Sequence, residues 1–457
     1  MLTRLFKNSI GLRMIIIAIL TLVMLVPAAF VEELITERQQ RRDGVVGEVS
    51  EKWGGVQTVS GPMLSIPYKS TVQTQYVDEK NVTRTKTEQV TLYAHLLPDT
   101  IAVQAELTPE VRYRGIYQII LYRSTLKVRG RLSLAGLRET GVNMADVQWN
   151  DIVVALGIGD VKGIRDSVAI DWSGARLLAN PGIPTNDVVA SGISARPAIT
   201  ASDAANNAQY EFSVDLNLNG SGELYFVPLG RETSVAVKAP WGTPSFVGAY
   251  LPEGRDVKEG AFSSRWKVLH LNRNYPQQWT GAAPQSVKES AFGVKLMMAL
   301  DEYQKAFRSA KYAIMFIALT FLAFFMAETL NKKVIHPIQY TLIGLALVIF
   351  YTLLVSISEQ MSFNKAYWLS SAGVIALIGL YTRSVLQSNL ATLAITGILA
   401  VLYGFLFIVL QLQDYALLMG SIGLFVILAL VMYLTRKIDW FALAEPPAPD
   451  TTTAQQP

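Results

Sequence analysis

The sequence predicts a membrane α-helical bundle joined to a large all-β domain of antiparallel, sandwich-like type. Three observations predict it. Six apolar stretches are long enough to cross a bilayer core of about 30 Å. They are unevenly placed, one near the N-terminus and five after residue 311, and residues 32–311 between them have ordinary soluble composition. Within that interval, apolar and polar residues alternate with a period of two, the signature of half-buried strands. Composition agrees, since only 17% of the 457 residues are charged against 51% hydrophobic, with mean hydropathy +0.30, too apolar for an ordinary soluble enzyme.

The first stretch, MIIIAILTLVMLVPAAFV at about 14–31, follows Arg4, Lys7 and Arg13. Its PAA resembles a small-residue cleavage site. The apolar run nevertheless exceeds a signal-peptide core, so residues 1–31 are expected to be an uncleaved anchor. In 32–311, TLYAHLLP, IAVQAEL, YQIILYRSTLKVRGRLSL, DIVVALGIGD, YEFSVDLNLNGSGELYFVPLG and TSVAVKA read as strands, in one sandwich or two. Asn219-Gly220 in NLNGSGELYF predicts a hairpin turn. LSLAGLRETGVNMADVQWN reads as a strand end with a short helix or turn, and SARPAITASDAANNAQ as a surface loop. GVKLMMALDEYQKAFRSAK (293–311) predicts a helix, with Asp301, Glu302 and Lys305 at pairing distance and no Gly or Pro interrupting its path into the second span. The remaining spans, about 312–327, 338–357, 366–382, 390–410 and 415–434, make a five-helix domain over 312–440, and 441–457 reads as a disordered cytoplasmic tail.

Orientation follows the cations of short loops. With the N-terminus cytoplasmic, six crossings put Arg4, Lys7, Arg13, Lys332, Lys333, Arg383, Arg436 and Lys437 inside and leave only Lys365 in the short outer loops. Both termini are then cytoplasmic and 32–311 lies outside. Lys305, Arg308 and Lys311 run against the rule, but they end a long domain, and long domains translocate largely regardless of charge.

The chemistry excluded is extensive. The chain has no cysteine and three scattered histidines, His95, His270 and His336, so no Cys- or His-based metal site and no cofactor is expected, carboxylates being the metal ligands left open. A net charge of +4 without a Lys/Arg block gives no nucleic-acid footprint. GxSxG, HExxH and Walker motifs are missing. Ser221 reads as a turn serine, and GIGDVKG (157–163) as a tight turn fixed by Asp160 rather than a phosphate loop, because no helix pattern follows it.

Two sets of residues remain as candidate sites. Trp241, Phe246, Tyr250, Arg265, Trp266 and Trp279 combine aromatics with a cation as binding clefts do, while the alternative is that the aromatics plug a sandwich end or face lipid headgroups. Glu328, His336 and Glu359 lie at span ends. Glu328 with His336 could form an acid–base pair, but residues in solvated territory more often cap helices or pair with a loop lysine. His336 and Pro337 would open the third span, with proline in its first turn.

Whole blocks of the chain resemble one family. KYAIMFIALTFLAFFMAETL, HPIQYTLIGLALVIFYTLLVSISEQMSFNKAYW, SGPMLSIPY, YRGIYQIILY, GDVKGIR, LNLNGSGELYFVPLGRETSV, WGTPSFVGAYLP, FSSRW and TRKIDWF are similar to those of the CreD family of bacterial inner-membrane proteins. Gln360 departs from it, standing where an acidic-His pairing would be usual. The resemblance implies an inner-membrane protein with a periplasmic domain, tied to a two-component regulon, envelope integrity and colicin tolerance, and it brings no reaction, cofactor or catalytic residue. The expected function is therefore envelope integrity or stress response without catalysis, by binding a periplasmic protein, a cell-wall component or membrane lipids. A transporter or lipid flippase using a groove in the bundle is the alternative, and a membrane-surface hydrolase using Glu328 and His336 a third.

Overall fold

Two-residue alternation becomes two sheets, and the apolar runs become long helices. The structure, a computed structural model, describes residues 10–77, 83–284, 286–298, 302–331, 333–412 and 415–436; Arg4, Lys7, Asp301, Lys332, Lys437 and the expected tail 441–457 lie outside them. The chain divides into two units, Arg42–Ala299 and Met1–Arg41 with Leu300–Pro457.

In the first unit, one sheet of nine described strands runs Pro244–Gly248, Phe292–Leu296, Glu223–Val227, Gln57–Val77, Val153–Ile158, Gly192–Ala195, Asn180–Pro181; Thr83–Leu96 also pairs with Gln57–Val77, and Gln278–Thr280 with Thr83–Leu96. The other, of eight, runs Gly254–Lys258, Ala261–Leu269, Glu232–Ala239, Thr100–Arg114, Tyr117–Ser133, Gln209–Ser221, Ala169–Trp172, Ala175–Leu178. Alternation is plain in Ala261–Leu269, where every second side chain is buried. Both sheets feed one hydrophobic core, with Leu64, Ile66 and Leu224 from the first and Val103, Leu126 and Leu216 from the second. That favours one sandwich over two.

The sheets are mixed where purely antiparallel pairing was expected. Residues 57–60 run parallel to 224–227, and 232–238 parallel to 100–106. Alternation reports which face is buried and carries no information on the direction of a neighbour recruited from far along the chain.

The expected hairpin at Asn219-Gly220 is also corrected. Both residues lie inside the strand Gln209–Ser221, opposite Arg123 and Tyr122, and the chain turns at Gly222, with φ of 66°, to enter the other sheet as Glu223–Val227. Gly220 serves a close approach: a Cβ there would stand 2.3 Å from the Tyr122 ring, whose hydroxyl donates to the Glu223 carbonyl at 2.8 Å. LSLAGLRETGVNMADVQWN forms three short 3-10 turns after its strand, as expected, and a short helix, Ala201–Ala205, capped by Thr200 and Asp203, lies in the expected 194–209 loop. Asp160 fixes its turn by accepting from the Lys162 amide at 3.0 Å. Trp53 lies beneath the guanidinium of Arg112, 4.3 Å from its ring, and Arg114 pairs with Glu48 at 3.1 Å.

The unbroken helix expected from 294 into the second span is not formed. Phe292–Leu296 is a strand paired on both edges, a helix begins at Glu302 and ends at Lys311, and Ala313–Leu330 follows at a bend of 46°. Absence of Gly and Pro permits a helix, but burial of Phe292, Gly293, Val294 and Leu296 between two neighbouring strands decides otherwise.

The second unit contains Ile10–Val23 and the first part of Leu25–Trp53, then the bent pair, Pro337–Ser358, Phe363–Leu386, Asn389–Gln411 and Ala416–Thr435. Among the described residues five helices are long and apolar enough to cross a membrane, or six if the bent pair counts as one. Pro27 has no N–H to offer the Val23 carbonyl, which accounts for the irregular turn at Met24. Gly344 admits the first helix closely, since a Cβ there would stand 2.8 Å from Met24 Sδ. The centre is packed with rings: Phe350 lies 4.7 Å from Tyr403 and 5.5 Å from Tyr367, and Phe316 5.4 Å from Tyr403.

Candidate functional site

Strand alternation sorts the aromatic candidates of the β unit. Trp266 is 2% exposed, with its ring 5.6 Å from Phe292 and 5.8 Å from Phe246, and its indole N–H donates to the Tyr250 carbonyl at 3.1 Å. It is a core residue. Phe246 and Tyr250 are half-buried around it, Tyr250 with its ring 5.7 Å from Phe292 and its hydroxyl donating to the Asn272 carbonyl at 2.9 Å. Trp241, half-buried, donates to the Met297 carbonyl at 3.0 Å. All four belong to the hydrophobic core or pack against it, as a plug would.

Arg265 is separated from them. Its position in the alternation turns it outward, onto a groove of about 530 Å³ that Glu106, Lys127, Lys238 and Ser263 also line. Trp279 is apart again, half-buried with its ring 5.7 Å from that of His95.

What composition did not show is the exposed apolar pair beside the plug. Leu251 and Leu271 are 78% and 80% exposed. Tyr250, just before Leu251, bonds to Asn272, just after Leu271, so the aromatic plug fixes both backbones. No period marks these leucines, which stand among turn residues in AYLPEG and HLNRN.

His95, treated in the sequence only as a scattered histidine, is fully buried. Its Nδ1 lies 3.1 Å from Ser65 Oγ and its Nε2 3.2 Å from Asp187 Oδ2. Ser65 and His95 are cross-strand partners, which alternation predicts once register is known; Asp187 arrives from a loop. Burial pushes His95 below the usual histidine value, against the upward pull of Asp187. Among the described residues no group of three or more His, Asp or Glu is placed to hold a metal ion.

In the helical unit, Glu328 and His336 are not brought together. Glu328 is 1% exposed, where solvated surroundings were expected; Arg13 Nη1 donates to its Oε1 at 3.0 Å and the Tyr340 hydroxyl to its Oε2 at 2.8 Å. The reason is tertiary, because the first helix lays Arg13 across the end of Ala313–Leu330. His336 is exposed and caps its helix, its Nδ1 accepting from the Ile338 amide at 3.3 Å while Gln339 closes the box on the His336 amide. Glu359, at the opposite end of Pro337–Ser358, accepts from the Tyr303 hydroxyl at 3.1 Å and stands 3.9 Å from Arg38. Arg13 and Arg38 thus tie the first helix to the bundle at both ends, over about 37 Å of helix.

Lys305 and Arg308 are engaged by a helix terminus. Lys305 donates to Gln411 Oε1 at 3.1 Å and Arg308 to the Leu410 carbonyl at 3.4 Å, at the C-terminal, electronegative end of Asn389–Gln411.

Span-length helices together with a two-sheet β unit define a multi-span membrane protein with a large inserted β domain. Residues 9–441 match the family described as inner membrane protein CreD, and the chain is 31% identical over 427 residues to the inner membrane protein CreD of Escherichia coli (strain K12), covering 93% of this chain and 92% of that one. The chain belongs to the CreD family of inner membrane proteins.

Proposed function

We propose that the protein supports cell-envelope integrity or the response to envelope stress, colicin tolerance included, by binding a partner through its β unit without catalysing a reaction. The observation that carries this reading is the exposed pair Leu251 and Leu271 on its braced aromatic base. Two large apolar side chains held in water by a rigid support are poised to gain free energy by being covered. The partner is a periplasmic protein, cell-wall component or lipid that presents apolar groups. Trp266, being core, supports the surface without forming it.

The test is the double variant Leu251→Asp with Leu271→Asp. It is expected to keep the parent's thermal unfolding temperature and to lose protection of cells against envelope stress; full protection by the folded variant would refute the surface.

The same reading puts both termini in the cytoplasm and the β unit in the periplasm. It is supported by Arg13, Lys333, Arg383 and Arg436 falling at one set of helix ends, while Lys305 and Arg308 at the other are engaged by Gln411 and Leu410. In whole cells, an impermeant maleimide should label Met361→Cys and spare Asn331→Cys; the reverse pattern inverts the topology. Transport through the bundle has weaker support, since the rings of Phe316, Phe350, Tyr367 and Tyr403 fill its centre.

A further inference from the structure

We propose that the outer face of the eight-stranded sheet docks an extended acidic polypeptide segment, in a groove walled by Lys127 and Arg129 on one side and by Arg265 and Lys267 on the other. This surface is separate from the Leu251 and Leu271 pair, and strand register builds it. Arg265, Ala236, Gln104 and Lys127 stand opposite one another across four neighbouring strands, and alternation turns all four outward. Two residues along, Lys267, Ser234, Ala102 and Arg129 repeat the order. Each row has a long cation at either end and short side chains between. Three strand spacings of about 4.8 Å set the walls about 14 Å apart.

The ends of the groove are set by ion pairs. Lys238 and Glu106, 3.2 Å apart, occupy the middle of the row on the far side of Ala236 and Gln104 and close one end, where the groove has a volume of about 530 Å³. Glu232, at the other end, is taken up by Lys267 at 2.9 Å. Lys127, Arg129 and Arg265 form no ion pair among the described residues. Asp215 stands across from Lys127, outside that wall, and is not within ion-pair distance of it. Five cations, Lys238 included, thus face the groove against the carboxylates of Glu106 and Glu232, so its charge is complementary to an anion.

Spacing selects the occupant. Lys127 and Arg129, like Arg265 and Lys267, are two residues apart on a strand, or about 7 Å. An extended peptide laid along the groove has the same rise and sends successive side chains to opposite sides, so consecutive acidic residues meet both walls in register. The floor of Ala102, Gln104, Ser234 and Ala236 has no aromatic ring on which a sugar or a base stacks, and no apolar track for an acyl chain.

The test is the fluorescence anisotropy of a fluorescein-labelled octaglutamate peptide mixed with the full chain in detergent. Saturable binding that weakens with added salt is expected. Arg129→Glu with Arg265→Glu, both at exposed positions, should weaken it about tenfold with the unfolding temperature unchanged. Ala236→Phe, which fills the floor and leaves the charge alone, should weaken it as well. Arg176→Glu with Arg196→Glu makes the same change of net charge away from the groove and should bind as the parent does. Absence of saturable binding, an equal loss in that control, or parental affinity in Ala236→Phe overturns the groove. If the Arg129 and Arg265 double variant fails to fold, Ala236→Phe decides alone. An oligogalacturonate of equal length that binds more tightly than octaglutamate makes the occupant an acidic glycan and overturns the peptide.

Discussion

Arg265 and Trp266 are neighbours in one strand, yet one lines an outward groove and the other lies in the core. In the helical unit Arg13 and Glu328 are 315 positions apart and share a buried ion contact. The β unit separates polar from apolar groups residue by residue, across the two faces of a strand. The helical unit does so along its length, keeping ring packing in the middle and placing its ionic contacts near helix ends, where a charge costs less than at mid-bilayer. Errors should therefore differ: a polar group lost from the β surface is replaced by water, whereas one lost from a buried pair leaves its partner stranded.

The largest expected effect tests the second half of that contrast. Glu328→Ala withdraws the acceptor of both Arg13 and Tyr340 and should cost about 3–5 kcal/mol, read as a lower unfolding temperature in detergent. An unchanged temperature would show that the pair does not hold the first helix. The strand pair tests the first half: Trp266→Ala should cost about 3–5 kcal/mol and Arg265→Ala less than about 0.5. Equal losses would break the comparison. Smaller than the loss of Trp266 is that of Gly220→Ala, which must displace the Tyr122 ring and should cost about 1–3 kcal/mol, with Tyr122→Ala in the same chain relieving part of it, measured by denaturant unfolding.

Legibility followed the same division. The stretches read as strands, such as IAVQAEL, are strands, because burying one face imposes a period of two that survives in any sequence. Gly220 misled because glycine has two uses, a left-handed turn and a close approach, and only the position of the Tyr122 ring distinguishes them. The 293–311 stretch misled because helix propensity is a weak prior against burial between two strands. Among the candidate residues, His336 as a cap and Asp160 as a turn fixer were readable, since their partners lie two residues away. The burial of Glu328 and the Ser65–His95–Asp187 chain were not, since their partners come from distant segments.

The sequence by itself determined what depends on local period and length: which segments are apolar enough for a bilayer, which alternate, and where polar caps stand. Family membership was legible as well, because whole blocks carry it. The tertiary structure alone decided strand direction, the break before the second span, the enclosure of Trp266 and Glu328, and the exposure of Leu251 and Leu271. The physical reason is that burial and pairing are properties of two segments at once, and a linear sequence records only one of them at each position.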